Sequence, residues 1–442
     1  MTPYMRAANV TWNGVDVSDV KEMDFTPKEQ AIYRLEAGDI LLSEASGSAA
    51  EVGKPAIWRE EIPGACFQNT LIRVRSKGPL PEFLHYHFLN DAKSGRFATA
   101  GKGIGINHLG ADRMSSWPLT LPPIDVQRRI VAKLDELLAQ SRAAREQLEA
   151  VPALVEQYRQ SVLAAAFRGD LTADWRKKNP DVEPASKLLE RIRIERRQKW
   201  EAAELAKLKA KGKSPKDDKW KSKYVEPEPV DTSDLPELPP TWCWASIGEI
   251  AEARSGIGFP PRLQGRLAGK YPFAKVGDLS RAFRSGSHTI ASAEFWVDES
   301  DVEELNATTI PERSILFPKI GESIRLNYRL LTNTELLVDN NVMAVIPNVG
   351  AVDSTYVLRY LQTVDFYSFA VATAVPSVRK TDIEAIAIPL APLELQQGIV
   401  ANLDELLSNA RKAREQAEAA NAYLQSFERS LLAKAFRGEL VA

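Results

Sequence analysis

Two glycine-rich segments are the first candidates for chemistry, because backbone amides in such loops can hold phosphate groups. The segment Gly47–Pro55, GSAAEVGKP, is similar to a phosphate-binding loop, but its glycines are separated by one residue too many for that motif. Pro55 also stands where the motif places the hydroxyl that binds magnesium. The segment Gly101–Gly105, GKGIG, does not follow a clear strand, which favours a surface loop.

The histidines and acidic residues form no recognisable catalytic or metal-binding pattern. The four histidines make no HExxH motif and have no cysteine at zinc-ligand spacing; they are His85, His87, His108 and His288. No G-x-S-x-G elbow is present, and Asp217-Asp218-Lys219 is typical of a charged linker. The sequence therefore predicts no catalytic residue, no metal site and no cofactor bound by this chain, and it favours binding over chemistry.

Length and composition predict a multidomain protein. A chain of 442 residues is too long for one ordinary domain, and 44% hydrophobic content can build sizeable cores. Two cysteines cannot form a disulfide framework, and no long apolar run or signal pattern is present, so we expect a soluble, cytoplasmic protein. The net charge of −2 does not indicate a class of partner.

The chain is organised around one stretch that occurs twice, at Pro122–Leu171 and at Ala391–Leu440. Gln127 matches Gln396 and Phe167 matches Phe436, so both pairs are 269 positions apart and no gap interrupts the alignment. Both copies contain LDELL, AREQ and AFRG. A period this long indicates duplication of a whole unit and not a solenoid array.

Each copy of the repeat has apolar residues at heptad spacing, which predicts long helices that pair as a coiled coil. The predicted seam contains Ile130, Leu134, Leu137, Leu148, Val151, Val155, Tyr158 and Val162 in the first copy, and Ile399, Leu403, Leu406, Leu424, Phe427 and Leu431 in the second. The alanine-rich middle of the second copy favours antiparallel packing against the bulkier Leu148 and Val151. Pro152 predicts a kink or break, and the heptads alone equally allow an ordinary two-helix hairpin.

The regions before the two copies share a framework of short strands and helices, which predicts two α/β (α+β) globular domains. SILFPKIGES at 314–323 aligns with DILLSEASGS at 39–48. The resulting boundaries are 1–120 for a first domain, 121–171 for a first helical region, 172–240 for a linker, 241–390 for a second domain and 391–442 for a second helical region. Nothing in the first half corresponds to residues 242–269. Either the first domain begins upstream of Met1, or it lacks an opening strand and helix; we expect the former, because an uncovered sheet edge is a liability.

The linker has its own charge pattern. Residues 186–211 predict a helix, and the segment from Arg176 to Lys223 holds 17 Lys+Arg against 8 Asp+Glu, a net charge of +9. An acidic, proline-rich stretch follows and predicts an extended chain. The basic segment is consistent with contacts to nucleic-acid phosphates, or with a solvated surface helix on a flexible tether.

Each copy of the repeat has prolines before a glutamine, then IV.KLDELL or its counterpart, and a terminal S.L..AFRG.L, where a dot stands for any residue. These motifs resemble the two conserved regions of type I restriction–modification specificity subunits. GDILLS and ILFPKIGES resemble the target-recognition domains of that family, and DLPELPPTWCWASIGEI resembles the entry to such a domain. The resemblance covers essentially the whole chain, and it departs from the family at the amino end, where the LPxGW-type opening is missing.

The resemblance implies two target-recognition domains at opposite ends of an antiparallel helical pair, each reading half of an asymmetric, bipartite site in double-stranded DNA. It implies that the helices set the spacer length and hold two methyltransferase (modification) subunits, which carry S-adenosylmethionine and methylate adenine N6. Restriction subunits that use ATP and magnesium are expected to join them. The chain itself would be a non-catalytic subunit.

Loop residues able to reach phosphates or base edges are the candidate DNA contacts. They are Arg6, Asn9, Ser46, Ser48, Lys54, Lys102 and Asn107 in the first domain, and Lys275, Lys319, Ser323, Arg325, Asn327, Arg379 and Lys380 in the second. Two other classes of function remain open. A stand-alone duplicated DNA-binding regulator would purify alone with full affinity, and a coiled-coil scaffold would show no salt-dependent DNA binding.

Overall fold

A computed structural model describes residues 1–46, 48, 51–100, 107–212, 215, 217–348, 350–370 and 375–441. The chain divides into two compact units, Met1–Pro152 with Ala413–Ala442, and Ala153–Lys412. The strands of the first unit are β1 (Thr2–Met5), β2 (Val10–Thr11), β3 (Gly14–Val15), β4 (Lys21–Met23), β5 (Ile40–Ser43), β6 (Ala45–Ser46), β7 (Pro55–Ile57), β8 (Cys66–Phe67), β9 (Leu71–Val74) and β10 (Asn107–His108). Its own helices are α1 (Pro27–Tyr33), α2 (Pro81–Lys93), α3 (Arg96–Ala100) and α4 (Ala111–Ser115).

Two long helices, α5 (Ile124–Arg168) and α13 (Leu393–Phe436), contribute segments to both units. The other helices of the second unit are α6 (Ala173–Lys178), α7 (Ala185–Ala210), α8 (Ile247–Ile250), α9 (Val276–Arg284), α10 (Glu299–Glu304), α11 (Ser354–Leu361) and α12 (Lys380–Glu384). Its strands are β11 (Cys243–Ser246), β12 (Ala251–Ser255), β13 (Tyr271–Ala274), β14 (Thr289–Ile290), β15 (Phe295–Val297), β16 (Ile315–Pro318), β17 (Leu330–Thr332), β18 (Leu337–Val338), β19 (Val342–Pro347) and β20 (Ala387–Leu390).

The two globular domains share the central pairings of their strand topology. In the first, β1 lies between antiparallel β4 and parallel β8, and β5 lies between antiparallel β7 and β9. In the second, β13 lies between antiparallel β15 and parallel β18, and β16 lies between antiparallel β17 and β19. The central strands β5 and β16 are buried along their whole length, as expected of short apolar runs. The predicted class, two α/β domains with long helices, is confirmed.

In the first unit the start of α5 packs against the end of α13. Ile130 and Leu134 share a hydrophobic core with Leu431 and Leu432, so the two helices pair antiparallel there. The same core includes the apolar face of α2, which attaches the domain to the helical pair. The rest of the first-copy seam and its partner residues are half-buried in this unit; they are Leu137, Leu148, Val151, Leu424 and Phe427.

In the second unit the end of α5 shares a core with the start of α13, again in antiparallel order. Val162, Ile399 and Leu403 are buried in this core, and Leu406 is half-buried against it. Val155 is half-buried, whereas Tyr158 has 43% of its surface exposed and therefore does not belong to the buried seam. The seam prediction is wrong at Tyr158.

Proline and glycine act differently along the long helices. Pro152 neither breaks nor ends α5, contrary to the sequence prediction. It lies on an exposed face, so solvent can satisfy the carbonyl that its missing N–H would have bound. Gly169 follows α5 with φ of 86°, and Gly438 lies beyond the end of α13 with φ of 79°, so both glycines have the left-handed conformation typical of helix ends.

One glutamine of each repeat fixes the helix start beside it. The Gln127 side chain is 4% exposed; it accepts from the Leu80 amide at 2.9 Å and donates to the Pro122 carbonyl at 2.8 Å. The Gln396 side chain is fully buried; it accepts from the Asp353 amide at 2.8 Å and donates to the Ala391 carbonyl at 2.9 Å. Leu80 and Asp353 precede α2 and α11, so each glutamine joins a long helix to a domain helix.

Within the described residues, no helix combines the length and the apolar character needed to cross a membrane.

Candidate nucleic-acid interface

In the second domain two loops meet where the central strand β16 ends. Pro318 ends the buried strand, and Gly321 continues the chain with φ of 84°. The Gly321 amide donates to the Pro376 carbonyl at 2.8 Å, and the Val378 amide donates to the Lys319 carbonyl at 2.9 Å. These bonds join residues 319–327 to residues 376–380, and we call the two segments the second loop pair.

The first domain contains the same arrangement at the end of β5. The Leu109 amide donates to the Glu44 carbonyl at 2.8 Å, and Ala45 pairs with His108 in the short sheet of β6 and β10. In the second domain the corresponding bridge joins Ile320 to Ser377. We call residues 44–46 and 48, together with residues 107–110, the first loop pair. Each domain therefore places two loops side by side at the end of its central strand.

The structure brings six of the predicted second-domain residues together on the second loop pair; they are Lys319, Ser323, Arg325, Asn327, Arg379 and Lys380. Lys319 donates from Nζ to the Ser255 hydroxyl at 3.0 Å, and burial lowers the pKa of its ammonium group. The Ser323 hydroxyl donates to the Ile320 carbonyl at 3.3 Å. In the free chain both side chains therefore make internal hydrogen bonds at the edge of the site.

Arg325 is exposed and held in position from two sides. Its Nε donates to Glu322 at 2.6 Å, and its guanidinium lies 3.7 Å from the centroid of the Tyr367 ring. The Glu322 carboxylate and the Tyr367 hydroxyl, the groups that bond this guanidinium, raise its pKa, so the side chain remains a cation. A planar cation stacked on an aromatic ring is pre-organised to present its remaining N–H groups to a ligand.

Arg379 and Lys380 lie at the start of α12. Arg379 is exposed, and its guanidinium has no carboxylate partner within the described part of the chain. Lys380 is exposed and pairs with Glu384 at 3.4 Å. Arg379 is therefore the cation of this loop pair that is most available to phosphate.

Lys275 lies outside the second loop pair, at the end of β13. Its Nζ lies 5.2 Å from the Phe259 ring centroid and 5.0 Å from the Phe295 ring centroid. Aromatic rings on two sides hold this ammonium group as a cation–π contact. The structure therefore gives Lys275 an internal partner, and a role in DNA contact stays a prediction.

Asn327 has a structural role in this state, and its role as a DNA contact stays a prediction. Its amide donates to the Val364 carbonyl at 3.1 Å, and its Oδ1 accepts from Arg329 at 2.8 Å. Arg329 is only 2% exposed, packs 3.5 Å from the Phe366 ring centroid, and has its pKa lowered by burial. Arg329 is not among the residues predicted from the sequence, because nothing local marks an arginine as buried.

In the first domain Arg6 and Asn9 build the loop that follows β1. Arg6 pairs with Asp19, and the buried Asn9 amide donates to the carbonyls of Asp16 at 2.9 Å and Asp19 at 3.0 Å. Because Asn9 is 3% exposed, it cannot reach a ligand in this state, and the prediction of a direct DNA contact is wrong for it. Arg6 is half-buried beside it.

Lys54 is also engaged internally. It pairs with Glu51, and its Nζ lies 5.9 Å from the centroid of the Trp12 ring. Ser48 is exposed and accepts at its carbonyl from the Glu51 amide at 3.1 Å. Lys54 therefore serves the fold of this loop in the free chain.

Ser46 and Asn107 face each other as partners in the β6–β10 ladder, which places two predicted residues on the first loop pair. Lys102 lies outside the described residues.

Comparison with known proteins agrees with this duplicated arrangement. A family model described as the type I restriction modification DNA specificity domain matches residues 2–152 and 239–419. The specificity subunit of type I restriction enzyme EcoKI from Escherichia coli K12 is 30% identical over 44% of this chain and 43% of its own length. The EcoDI subunit of Escherichia coli is 25% identical over 82% of this chain and 70% of its own length. The StySPI subunit of Salmonella potsdam is 22% identical over 100% of this chain and 82% of its own length.

Solved structures share the fold at low sequence identity. The HsdS subunit of Thermoanaerobacter tengcongensis superposes with a TM-score of 0.59 at 18% identity, covering 99% of this chain and 91% of that one. A chain from a study of complex assembly and conformational transition of the type I R-M system superposes with a TM-score of 0.67 at 18% identity, covering 99% and 92%. The match to the EcoKI subunit spans less than half of that protein, whereas the family model matches most of this chain. This chain therefore belongs to the family of type I restriction modification DNA specificity domains.

Proposed function

We propose that this chain is the DNA sequence-specificity subunit of a type I restriction–modification complex, and that each α/β domain reads one half of a bipartite, asymmetric site. The observation that carries this proposal is the repetition of the loop pair in both domains with different side chains. The equivalent backbone bonds from Leu109 and Val378 hold the same frame in each. A conserved frame with different contact residues is what two readers of different half-sites require.

The second loop pair has the chemistry of a DNA reader. Arg325 is a stacked, oriented guanidinium, which suits bidentate contact with a guanine edge or a phosphate. Arg379 and Lys380 provide exposed positive charge beside it for backbone contacts that set the position of the domain. Asn327 and Arg329 support the loop from below through bonds to backbone carbonyls.

The methyl-transfer reaction belongs to the partners in this proposal. Two methyltransferase subunits would carry S-adenosylmethionine, flip the target adenine out of the duplex and methylate its N6. Restriction subunits that use ATP and magnesium would join the same assembly, which would act in the cytoplasm. The present chain would be non-catalytic and would position those subunits on the site.

The direct test is co-expression of this chain with the methyltransferase subunits, followed by mapping of methylated adenines by long-read sequencing. The expected result is one bipartite motif with a fixed spacer that disappears when this chain is omitted. Methylation that persists unchanged without the chain would contradict the proposal.

A variant test addresses the second loop pair. Replacing Arg325 by Gln should weaken binding to the methylated motif by roughly 5- to 150-fold, the range expected for loss of one bidentate base contact. The matched control is Arg262→Gln, because Arg262 is also an arginine paired with an exposed glutamate, Glu304, but lies outside the loop pair. Equal affinities for Arg325→Gln and Arg262→Gln would remove Arg325 from the interface.

A further inference from the structure

The linker helix α7 is firmly attached to the second domain over its first half. Leu188, Leu189 and Ile192 are buried in the domain core. Arg193 pairs with Glu249, whose side chain is only 2% exposed. This half of the helix therefore has the burial and the ion pairing of an integral part of the domain, and the solvated-tether interpretation does not describe it.

A returning segment then packs back onto α7. The 3₁₀ helix Asp218–Lys223 places Trp220 on Trp200, with ring centroids 6.2 Å apart and planes 19° apart. The Tyr224 ring lies 5.3 Å from the Trp200 ring. Aromatic stacking thus holds the segment against the helix.

Lysine is frequent in the sequence around the end of α7 and in the returning segment. From Lys207 to Lys216 the sequence contains five lysines and no acidic residue. Within the part of the chain that the structure describes, Lys209, Lys211 and Lys223 are exposed and have no carboxylate partner. Other linker lysines have one: Lys177 lies 3.5 Å from Asp174, Lys187 lies 3.1 Å from Glu190 and Lys219 lies 3.7 Å from Asp217.

We propose that Lys209, Lys211 and Lys223, the linker lysine cluster, bind the phosphates of double-stranded DNA without reading its sequence. Lys209 lies in the last turn of α7, Lys211 directly follows the helix, and Lys223 ends the returning 3₁₀ helix, so the three charges are spread along the linker. Spread charges suit an extended row of phosphates better than one complementary protein face. Lysine ammonium groups are hydrated point charges that suit phosphate contact and give no base specificity.

The reach of the helix fits this ligand. From Trp200 to its last residue, Ala210, α7 rises about 15 Å, and one DNA strand presents a phosphate about every 3.4 Å of helix axis. Several phosphates therefore lie within the span of the cluster. The inference rests on the proposed function only in taking DNA as the ligand, and it adds a second, sequence-independent contact outside the loop pairs.

The test is the salt dependence of DNA binding by the full chain, alone and with its methyltransferase subunits. The variant carries Lys209→Gln, Lys211→Gln and Lys223→Gln; the matched control carries Lys177→Gln, Lys187→Gln and Lys219→Gln. Both remove three charges from the same linker. Because each phosphate contact contributes about 0.9 to the slope of log K against log salt, the variant should lose about 2 to 3 units of slope. The control should lose less than about 1 unit.

The variant should weaken binding equally for duplexes with and without the methylated motif, because phosphate contacts carry no sequence information. Equal slopes for the variant and the control would overturn the inference while leaving the specificity function intact. An unchanged slope together with salt-sensitive loss of the methyltransferase subunits would also overturn it, in favour of an acidic protein surface. A wild-type chain that binds no DNA at any salt concentration would overturn both proposals.

Discussion

Replacing Gln396 by Leu should destabilise the second unit by about 2 to 4 kcal/mol, because one buried side chain satisfies two backbone groups there. Leucine keeps nearly the same volume and remains apolar, so the change removes the two hydrogen bonds without opening a large cavity. It leaves the Asp353 amide and the buried Ala391 carbonyl without that partner. Each unsatisfied buried group costs about 1 to 3 kcal/mol, and the half-buried Asp353 amide lies at the low end of that range.

The neighbouring residue provides the control. Gln397 lies on the same helix and is exposed, so Gln397→Leu should change the free energy of unfolding by less than about 0.5 kcal/mol. Urea unfolding followed by tryptophan fluorescence measures both variants, with an unchanged m-value showing that the unfolded state is the same. Gln127→Leu, the equivalent change in the first unit, should cause a loss of similar size.

If the two units unfold in separate transitions, Gln396→Leu and Gln127→Leu should shift different ones, because the glutamines lie in different units. A Gln396→Leu variant as stable as Gln397→Leu would refute the reasoning. That outcome would mean that water or a shift of the backbone replaces both bonds at little cost.

Two further predictions concern the first unit. Glu428→Gln should lower the free energy of unfolding by about 1 to 3 kcal/mol, because the 6%-exposed carboxylate accepts hydrogen bonds from both Ser141 and Arg145 at 2.9 Å. Urea unfolding measures this variant beside a control at an exposed position, Glu418→Gln. Equal stabilities of the two variants would contradict the prediction. Burial, aided by the nearby charge of Arg59, lowers the pKa of His85 from 6.5 to about 4. Between those pH values the imidazole is therefore protonated in the unfolded chain and neutral in the folded chain. The free energy of unfolding should fall by about 2 to 3 kcal/mol as the pH drops through this window. His85→Gln should remove that part of the pH dependence, and an unchanged stability–pH profile would contradict the assignment.

The long helices and their ends could be read from the sequence because their signals are local and repeated. Apolar residues at heptad spacing predict a helix wherever they occur, and glycine after the last turn predicts its end. The linker helix was predicted over residues 186–211 and is observed over Ala185–Ala210. Pro152 was misread, because a proline breaks a helix only when the lost hydrogen bond cannot be replaced, and its exposure decides that.

The candidate interface could be read only in part. The predicted residues at the end of the central strand do meet at a loop pair, because the strand order and the alignment of residues 314–323 with residues 39–48 place them there. Asn9 and Asn327 were predicted as contacts because they are polar residues in loops, but the side-chain amides of both donate to backbone carbonyls. A sequence shows which side chains can donate hydrogen bonds, and it does not show which acceptors lie within reach.

The amino-acid sequence by itself determined the duplication, the helical repeat and the class of the two domains, since these depend on periodicity and on the order of strands and turns. Only the tertiary structure decided which partners the buried polar residues of the helical seam find. Ser141 interrupts an otherwise apolar seam, and its partner Glu428 lies 287 positions away in the chain. Buried polar groups must find partners in three dimensions, and the distance between two residues along the chain does not determine the distance between them in space.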